Sequence, residues 1–446
     1  MSADVDVLVL GGGMAGLSAA AWSVRSGQSV VLVEKGELGG SAARAGFIWT
    51  APTYEVLREQ IPDGDPKLAE QLISGFEPAV EWVRSLGVEV QPAVTVLRFG
   101  RGHQTSILNY LRACELALRD DPRSKILLRA EPQRLLVEDG EVHGAEIRLA
   151  DGELREIRAH ATLLATGGFG GDPDLRAELI DPRARNIPLR ANRYSTGDGL
   201  RLAREAGAKF GPEDAGFYGH LMANDVLLRE EDDYPALSLF HSEHAALFNL
   251  HAERFVDETV GDHLTTLALL KQPEARGLLI SDERTKELLS RPYVEGVMPA
   301  DFFDNVYKRG ARAAVAYEPD ELAYLPPEWG YDGNAIKEAL LEFNQRCAAG
   351  TIDPPRQYDA VPIDRPPFYV VEAVPAITFT FGGLRVDPDA RVLDEDDRPI
   401  PGLLAAGADA GGLYVRAYAG GLAAALVFGL RAAQTALEHQ RQEVST

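Results

Sequence analysis

Residues 5–35 read VDVLVLGGGMAGLSAAAWSVRSGQSVVLVEK, and the order of their parts decides the fold. The apolar run Val5–Leu10 has the character of a parallel strand buried on both faces, where polar alternation is lost. It enters Gly11-x-Gly13-x-x-Gly16, then an alanine-rich helix, then a second apolar strand, Ser29–Val33, that ends in Glu34. Gly11 permits the tight turn, Gly13 lets backbone approach a pyrophosphate, and Gly16 lets the helix pack closely on the sheet. Met14 and Ala15 open the helix, where unpaired N–H groups and the positive end of the dipole attract phosphate. Glu34, with Lys35 beside it, lies roughly 20 residues on, where an acid accepts hydrogen bonds from a ribose diol. The ordered parts predict a nucleotide-binding unit. They leave open which nucleotide.

The remaining sequence sets bounds on that unit. A length of 446 residues suggests two or three domain-sized units. Hydrophobic content of 45% and charged content of 25% are those of an ordinary globular protein. A net charge of −23 argues against nucleic acid or an anionic membrane surface as partner. The two cysteines, Cys114 and Cys347, have no disulfide or metal spacing and suggest a reducing compartment. The first core strand begins at about Val5, which leaves no length for a signal peptide. No apolar run approaches the ~18–20 residues that cross a bilayer. These features predict a cytoplasmic protein with no membrane span and a small-molecule substrate.

Further along, Gly39-Gly40-Ser41 forms a second glycine element. Residues 66–119 show apolar positions at helical spacing. Residues 125–165 read as a β-meander turning at Asp139-Gly140 and Asp151-Gly152. Its last strand runs into Ala165-Thr166-Gly167-Gly168. TGDGLRLAREAGA (196–208) reads as a helix capped by Thr196 or Asp198 and ended by Gly207. From about 217 to 367, histidine, aromatic, acidic and proline residues become frequent and strand–helix alternation is lost. Strand patterns return with AITFTFGGLRVD and a last helix from about Gly421. The expected fold is therefore α/β. A nucleotide-binding domain of central parallel sheet plus β-meander comes from residues 1–216 and 368–446, and an inserted α+β capping domain from 217–367.

Four motifs in order, GGGMAG, GGS, ATGG and the C-terminal GGLRVD…GLLAAGADAGG…AGGLAAALVFG, carry a family resemblance over essentially the whole chain. The chain resembles the FAD-dependent fumarate reductase and succinate dehydrogenase flavoprotein superfamily. That group includes the 3-ketosteroid dehydrogenases and tricarballylate dehydrogenase. The resemblance implies a Rossmann-like FAD-binding domain. By it, Gly407 and Asp409 follow a strand toward the ribityl chain, and Gly421 and Leu422 set a helix N-terminus against the flavin. Ser41 and Thr166 are either cofactor contacts or cap and turn residues. Gly40 stands where succinate dehydrogenases carry the flavin-linking histidine, which implies non-covalent FAD.

The resemblance also shows where this chain departs from dicarboxylate enzymes. His220 stands at the place of their first substrate histidine, and Asp262, with His263 next to it, replaces the proton-donating arginine. Phe379 replaces the second histidine and Tyr418 the final arginine. Charged recognition groups are thus exchanged for aromatic ones, and a site built for paired carboxylates discriminates strongly against other chemistry. Tyr418 beside a glycine pair is nearer to the 3-ketosteroid dehydrogenases, which polarise a ketone with a tyrosine hydroxyl and a backbone N–H. Such desaturation needs a base for the α-proton, a hydride acceptor, and a donor that stabilises the enolate.

The resulting expectation is an FAD-dependent dehydrogenase of a cyclic ketone or ring acid, with reduction of an unsaturated carboxylic acid as the alternative. Tyr418, His220, Tyr218, His263 and Asp262 are the catalytic candidates, Tyr418 as polarising group, base or plain core aromatic, and Asp262 as base partner or helix cap. Tyr218 and His220 share a face if extended. Phe379, Tyr414, Arg416 and His244 are the substrate-contact candidates, Tyr414 and Arg416 by alternation with Tyr418. His241, Glu243 and His244 fit no zinc spacing. The electron acceptor stays open.

Overall fold

The computed structural model describes residues 3–226, 237–289 and 303–445. The chain forms two compact units. The first comprises Met1–Ile180, Ala191–Phe217 and Phe379–Thr446, and the second Asp181–Arg190 and Tyr218–Thr378.

In the first unit, Val5–Leu10 pairs in parallel with Val30–Glu34 on one side and with Leu154–Leu164 on the other. Lys125–Leu128 extends the sheet beyond Val30–Glu34, and Pro399–Ala405 beyond Leu154–Leu164, both in parallel. Val7–Leu10 and Val30–Glu34 are buried throughout, as strands covered on both faces require. Lys125–Leu128 is thus a strand of the parallel sheet rather than the first strand of a meander. The meander itself runs Glu131–Glu138, Glu141–Arg148, Leu154–Leu164. Its first turn holds Asp139 and Gly140 at φ of 50° and 82°, the geometry that such hairpins need.

The helical reading of 66–119 is half right. Helices cover Pro66–Ser85 and Ile107–Asp120, but Val94–Val96 and Gly100–Gln104 between them are strands that join Phe47–Thr50 in an antiparallel sheet. The helix after TG starts at Asp198 and is capped by Gly197 at φ +81°, with no capping side chain. Neither Thr196 nor Asp198 is the cap.

The second unit is built on a five-stranded sheet ordered 216–223, 368–381, 277–281, 246–248, with 313–316 also paired to the 368–381 strand. Side-chain alternation along these strands feeds two cores. Leu247, Leu279, Tyr369 and Val371 enter one, while Phe248, Leu278, Ile280, Phe368 and Val370 enter the other with Trp329 and Phe343. The expected return to the first unit at residue 368 falls inside the strand Phe368–Phe381. That strand is hydrogen-bonded into the second sheet at Tyr369–Ala373, so the return comes at Phe379. Among the described residues no helix is long and apolar enough to cross a membrane.

Candidate active site

In the first unit the glycine turn is held by close backbone approach. Gly11 has φ +113°, and a Cβ there would fall 2.1 Å from the Ala165 carbonyl oxygen; one on Gly16 would fall 1.9 Å from the Gly11 carbonyl oxygen. Gly13 differs, because nothing lies within 4 Å of its Cβ position. It caps the helix Met14–Arg25 without contributing a side-chain hydrogen bond. The first-turn amides at Met14, Ala15 and Gly16 have no partner inside the helix. Open space before such a terminus suits a phosphate. The Gly39-Gly40-Ser41 loop closes on this turn through Gly39 N–H to the Gly12 carbonyl, 2.8 Å.

Glu34 is buried, and its two oxygens accept the N–H groups of Gly12 and Gly36 at 2.7 and 2.6 Å. Each oxygen keeps a second lone pair for a ribose hydroxyl. Lys35 is committed elsewhere: its ammonium lies 2.6 Å from Asp198 Oδ2 and 2.5 Å from Thr196 Oγ1. Ser41 Oγ accepts the Asn192 N–H at 2.9 Å, tying two loops together. Thr166 Oγ1 donates to Asp409 and accepts from the Gly199 N–H, both at 3.0 Å, so it is a turn residue here. Asp409 also accepts the N–H groups of Thr166 and Gly168. Burial pushes its pKa up against these bonds. Its carboxylate locks the Ala165–Gly168 turn to the Gly407–Asp409 segment, which is a structural duty besides any toward the ribityl chain. Beside that turn, Thr380 Oγ1 is buried with no hydrogen-bond partner among the described residues, and it would meet a Cβ on Gly168 at 2.2 Å. A buried hydroxyl in that condition calls for a polar ligand. The phosphate cradle, Glu34 and Thr380 together fit a bound dinucleotide.

Around Tyr418 the same unit gathers aromatic rings. Tyr414 lies 5.3 Å away, Trp49 5.8 Å at 74°, Phe379 5.9 Å and Phe381 6.4 Å between ring centroids. Tyr418 Oη accepts the Gly421 N–H at 2.6 Å. Burial pushes its pKa up to about 12, with that hydrogen bond pulling the other way. Tyr418 is thus a neutral phenol, suited to donate a proton in a hydrogen bond rather than to abstract one. The Gly421 amide is taken by Tyr418, so this first amide of the last helix is not turned to a cofactor.

Two expected neighbours act otherwise. Tyr414 is buried and donates its hydroxyl toward the Ala419 and Gly420 carbonyls at 3.1 and 2.9 Å, clamping the turn before the helix instead of facing a substrate. Arg416 adopts φ +59°, which breaks the extended alternation. Its side chain is 81% exposed and lies 3.4 Å from Asp63. It does not share the Tyr418 face.

In the second unit the strand Gly216–Ala223 sets the Tyr218 and His220 rings 5.0 Å apart. His220 Nδ1 is hydrogen-bonded to the Asp262 carboxylate, with the Phe240 ring 5.1 Å from the imidazole. Gly261, not Asp262, caps the helix Asp262–Leu270, which frees the Asp262 carboxylate for His220. Burial pushes the His220 pKa down and outweighs the pull of Asp262; Arg190 adds to the fall. Burial pushes Asp262 up, but His220, His263 and Arg190 hold it below the usual carboxylate range. The pair is therefore a neutral imidazole donating from Nδ1 to a carboxylate, which leaves Nε2 as the basic nitrogen. His263 lies 6.0 Å from Tyr218, and burial lowers its pKa also. Arg190 was not foreseen. It is held by its N–H to the Ile377 carbonyl and by Nη1 to Thr378 Oγ1, both 2.7 Å.

His244 belongs to another network. Its Nδ1 is 2.7 Å from Asp359, which also pairs with Arg284, and its Nε2 is 3.5 Å from Glu243. These partners give it a hydrogen-bonding role that accounts for it without a substrate. His241 is buried nearby on the same segment, its pKa pushed down to about 3 by burial. Among the described residues no group of three or more His, Cys, Asp or Glu is arranged to hold a metal ion.

The segment leading to Asp262 is anchored by Arg254 and Glu258. Nε to Oε1 and Nη2 to Oε2 are both 2.9 Å, the glutamate is fully buried, and Glu258 also accepts the Leu247 N–H. Breaking such a pair from one side costs about 3–5 kcal/mol, because the remaining charge stays buried. Glu258→Gln is expected to lower the unfolding midpoint in denaturant with an unchanged slope. An unaltered midpoint would show that the ion pair does not stabilise this segment.

A model of the FAD binding domain family matches residues 6–423. Among curated proteins, the chain is 28% identical over 456 aligned positions to a urocanate reductase of Eggerthella lenta, covering 92% of this chain and 70% of that protein. It is 27% identical to a vinyl phenol reductase of Lactiplantibacillus plantarum, covering 92% and 90%. Among solved structures it resembles a 3-ketosteroid Δ1-dehydrogenase of Sterolibacterium denitrificans with TM-score 0.77 and 19% identity, over 97% of this chain and 99% of that one. At that identity the likeness establishes the fold.

Proposed function

Because the chain belongs to the FAD binding domain family and is an FAD-dependent oxidoreductase, we propose that it desaturates a neutral cyclic carbonyl compound next to the carbonyl group. The observation that carries this reading is the neutral Tyr418 phenol in an aromatic surround, where dicarboxylate enzymes of the resembled superfamily place an arginine. Bound FAD would be held by the Gly11–Gly16 turn, Glu34 and the Ala165–Gly168 turn, and it supplies a hydride acceptor. Tyr418 donates a hydrogen bond to the carbonyl oxygen, which acidifies the α-carbon and stabilises the enolate oxygen. Within the second unit the His220–Asp262 pair has the arrangement of a general base: Nε2 can take a proton, and Asp262 stabilises the imidazolium that results.

Likeness to a vinyl phenol reductase supports a ring substrate without a carboxylate. We also propose that FAD is bound non-covalently, since Gly40 takes the place of the linking histidine, and that the protein works in the reducing cytoplasm, which suits its free thiols. Anaerobic mixing with cyclic ketones should bleach the flavin, and acid precipitation should leave the flavin in solution. Absence of bleaching across monocyclic and fused-ring ketones would overturn the reading.

A second reading, reduction of an unsaturated carboxylic acid, is favoured by Arg190, whose cation acts on both His220 and Asp262. Likeness to a urocanate reductase points the same way. Reoxidation of chemically reduced enzyme by an enoate but not by an enone would establish it over the first.

A further inference from the structure

We propose that Trp49 limits the size of ring accepted beside Tyr418; the inference rests on the reading of Tyr418 as the group that meets the substrate oxygen. Trp49 sits in the strand Phe47–Thr50, directly opposite Gly102 of the antiparallel strand Gly100–Gln104. A Cβ on Gly102 would fall 2.2 Å from Trp49 Cβ, and one on Gly100 would fall 2.7 Å from the indole ring. Residues two apart on a strand share a face. Two glycines on one face therefore clear a floor for a single indole, although glycine weakens a strand interior.

The indole also makes two aromatic contacts. It meets Tyr418 at 5.8 Å and 74° and Phe99 at 6.0 Å and 65°, both edge-to-face. Unlike the buried Tyr414, Trp49 keeps part of its surface open. It is a large, uncharged side chain with only two side-chain torsions, wedged between glycines and a phenol. Such a group acts as a fixed wall. A ring whose oxygen accepts from Tyr418 meets this wall next, so the wall sets how far the ring can extend.

The test uses holoenzyme carrying Trp49→Ala or Trp49→Phe, with Trp49→Leu as a second truncation that keeps apolar volume above the glycines. Cyclohexanone, a decalone and a tetracyclic 3-ketone are compared with a dye acceptor. In parallel, Kd values for phenol and 2-naphthol are read from perturbation of the flavin spectrum. Truncation to Ala or Leu should shift the kcat/KM ratio toward the fused-ring ketones by at least about tenfold, the scale of discrimination that an apolar pocket wall supplies. It should weaken phenol binding and spare 2-naphthol, while Trp49→Phe stays near wild type in ratio. The proposal is overturned if truncation lowers all ketones equally, or alters only the flavin spectrum. The two ideas fail separately: an unimpaired Tyr418→Phe enzyme removes the underlying reading, whereas an unchanged size ratio with an impaired Tyr418→Phe enzyme removes only the role of Trp49.

Discussion

Tyr418→Phe is expected to lower kcat by about 10²–10³-fold while leaving KM within a small factor of wild type. Loss of one preorganised donor to a developing oxyanion has that cost elsewhere. The size follows from the setting: the phenol is buried among Trp49, Phe379, Phe381 and Tyr414, and its oxygen is fixed by the Gly421 amide. A donor held this way loses little entropy when it bonds to the substrate, and few water dipoles compete with it. With its pKa raised to about 12, Tyr418 stays protonated through neutral and mildly alkaline pH, so the variant should not lose an alkaline limb that wild type has. Steady-state kinetics with a cyclic ketone check this. A variant with wild-type kcat would remove Tyr418 from the chemistry.

Asp262→Asn is expected to reduce turnover by about 10²–10⁴-fold, the range of a positioned general base. Asp262 both fixes the Nδ1–H tautomer of His220 and compensates the charge formed when Nε2 takes a proton. Proton abstraction needs neutral His220, and burial lowers its pKa below the ordinary value of about 6.5. Desaturation should therefore hold as pH falls through about 6.5 and fail only at lower pH. Asp262 pulls the His220 pKa up, so its loss should move that inflection further down. Tyr418→Phe should leave the inflection in place. A change in rate with no change in the pH profile would make Asp262 a structural residue only.

The frame of the fold was legible because its signals are local. One glycine turn follows one strand, and residues 5–35 carry strand, turn, helix and acid in sequence. The strand Gly100–Gln104 was missed because helical spacing was read across the whole of 66–119, and its two glycines, which make room for Trp49, carry no strand signal. Site residues followed the same division. The lock between Asp409 and Thr166 joins positions 243 apart, so no window of sequence shows that the carboxylate is already bonded within the protein. His244 looked like a cleft residue because its partner Asp359 lies 115 positions away. Alternation suggested Tyr414 and Arg416 as neighbours of Tyr418. It failed at the left-handed backbone of Arg416, which turns that side chain out to solvent. Arg190 carried no motif at all. Its place beside the histidine–aspartate pair is set by tertiary contacts with Ile377 and Thr378.

The resemblance carried the readings at Phe379 and Tyr418, and the proposed roles draw on the geometry around each residue. Burial raises the Tyr418 phenol pKa to about 12 and lowers that of the His220 imidazole, which suits the proposed donor and base.

In the proposed reaction a hydride leaves the carbon β to a neutral carbonyl while the α-proton goes to the protein. The most direct measurement is the rate of anaerobic flavin bleaching by a cyclic ketone deuterated at the β-carbon, compared with the unlabelled ketone. Both ketones are expected to bleach the flavin, the deuterated one several-fold more slowly. Equal rates, or bleaching by a saturated dicarboxylate in place of any ketone, would contradict it.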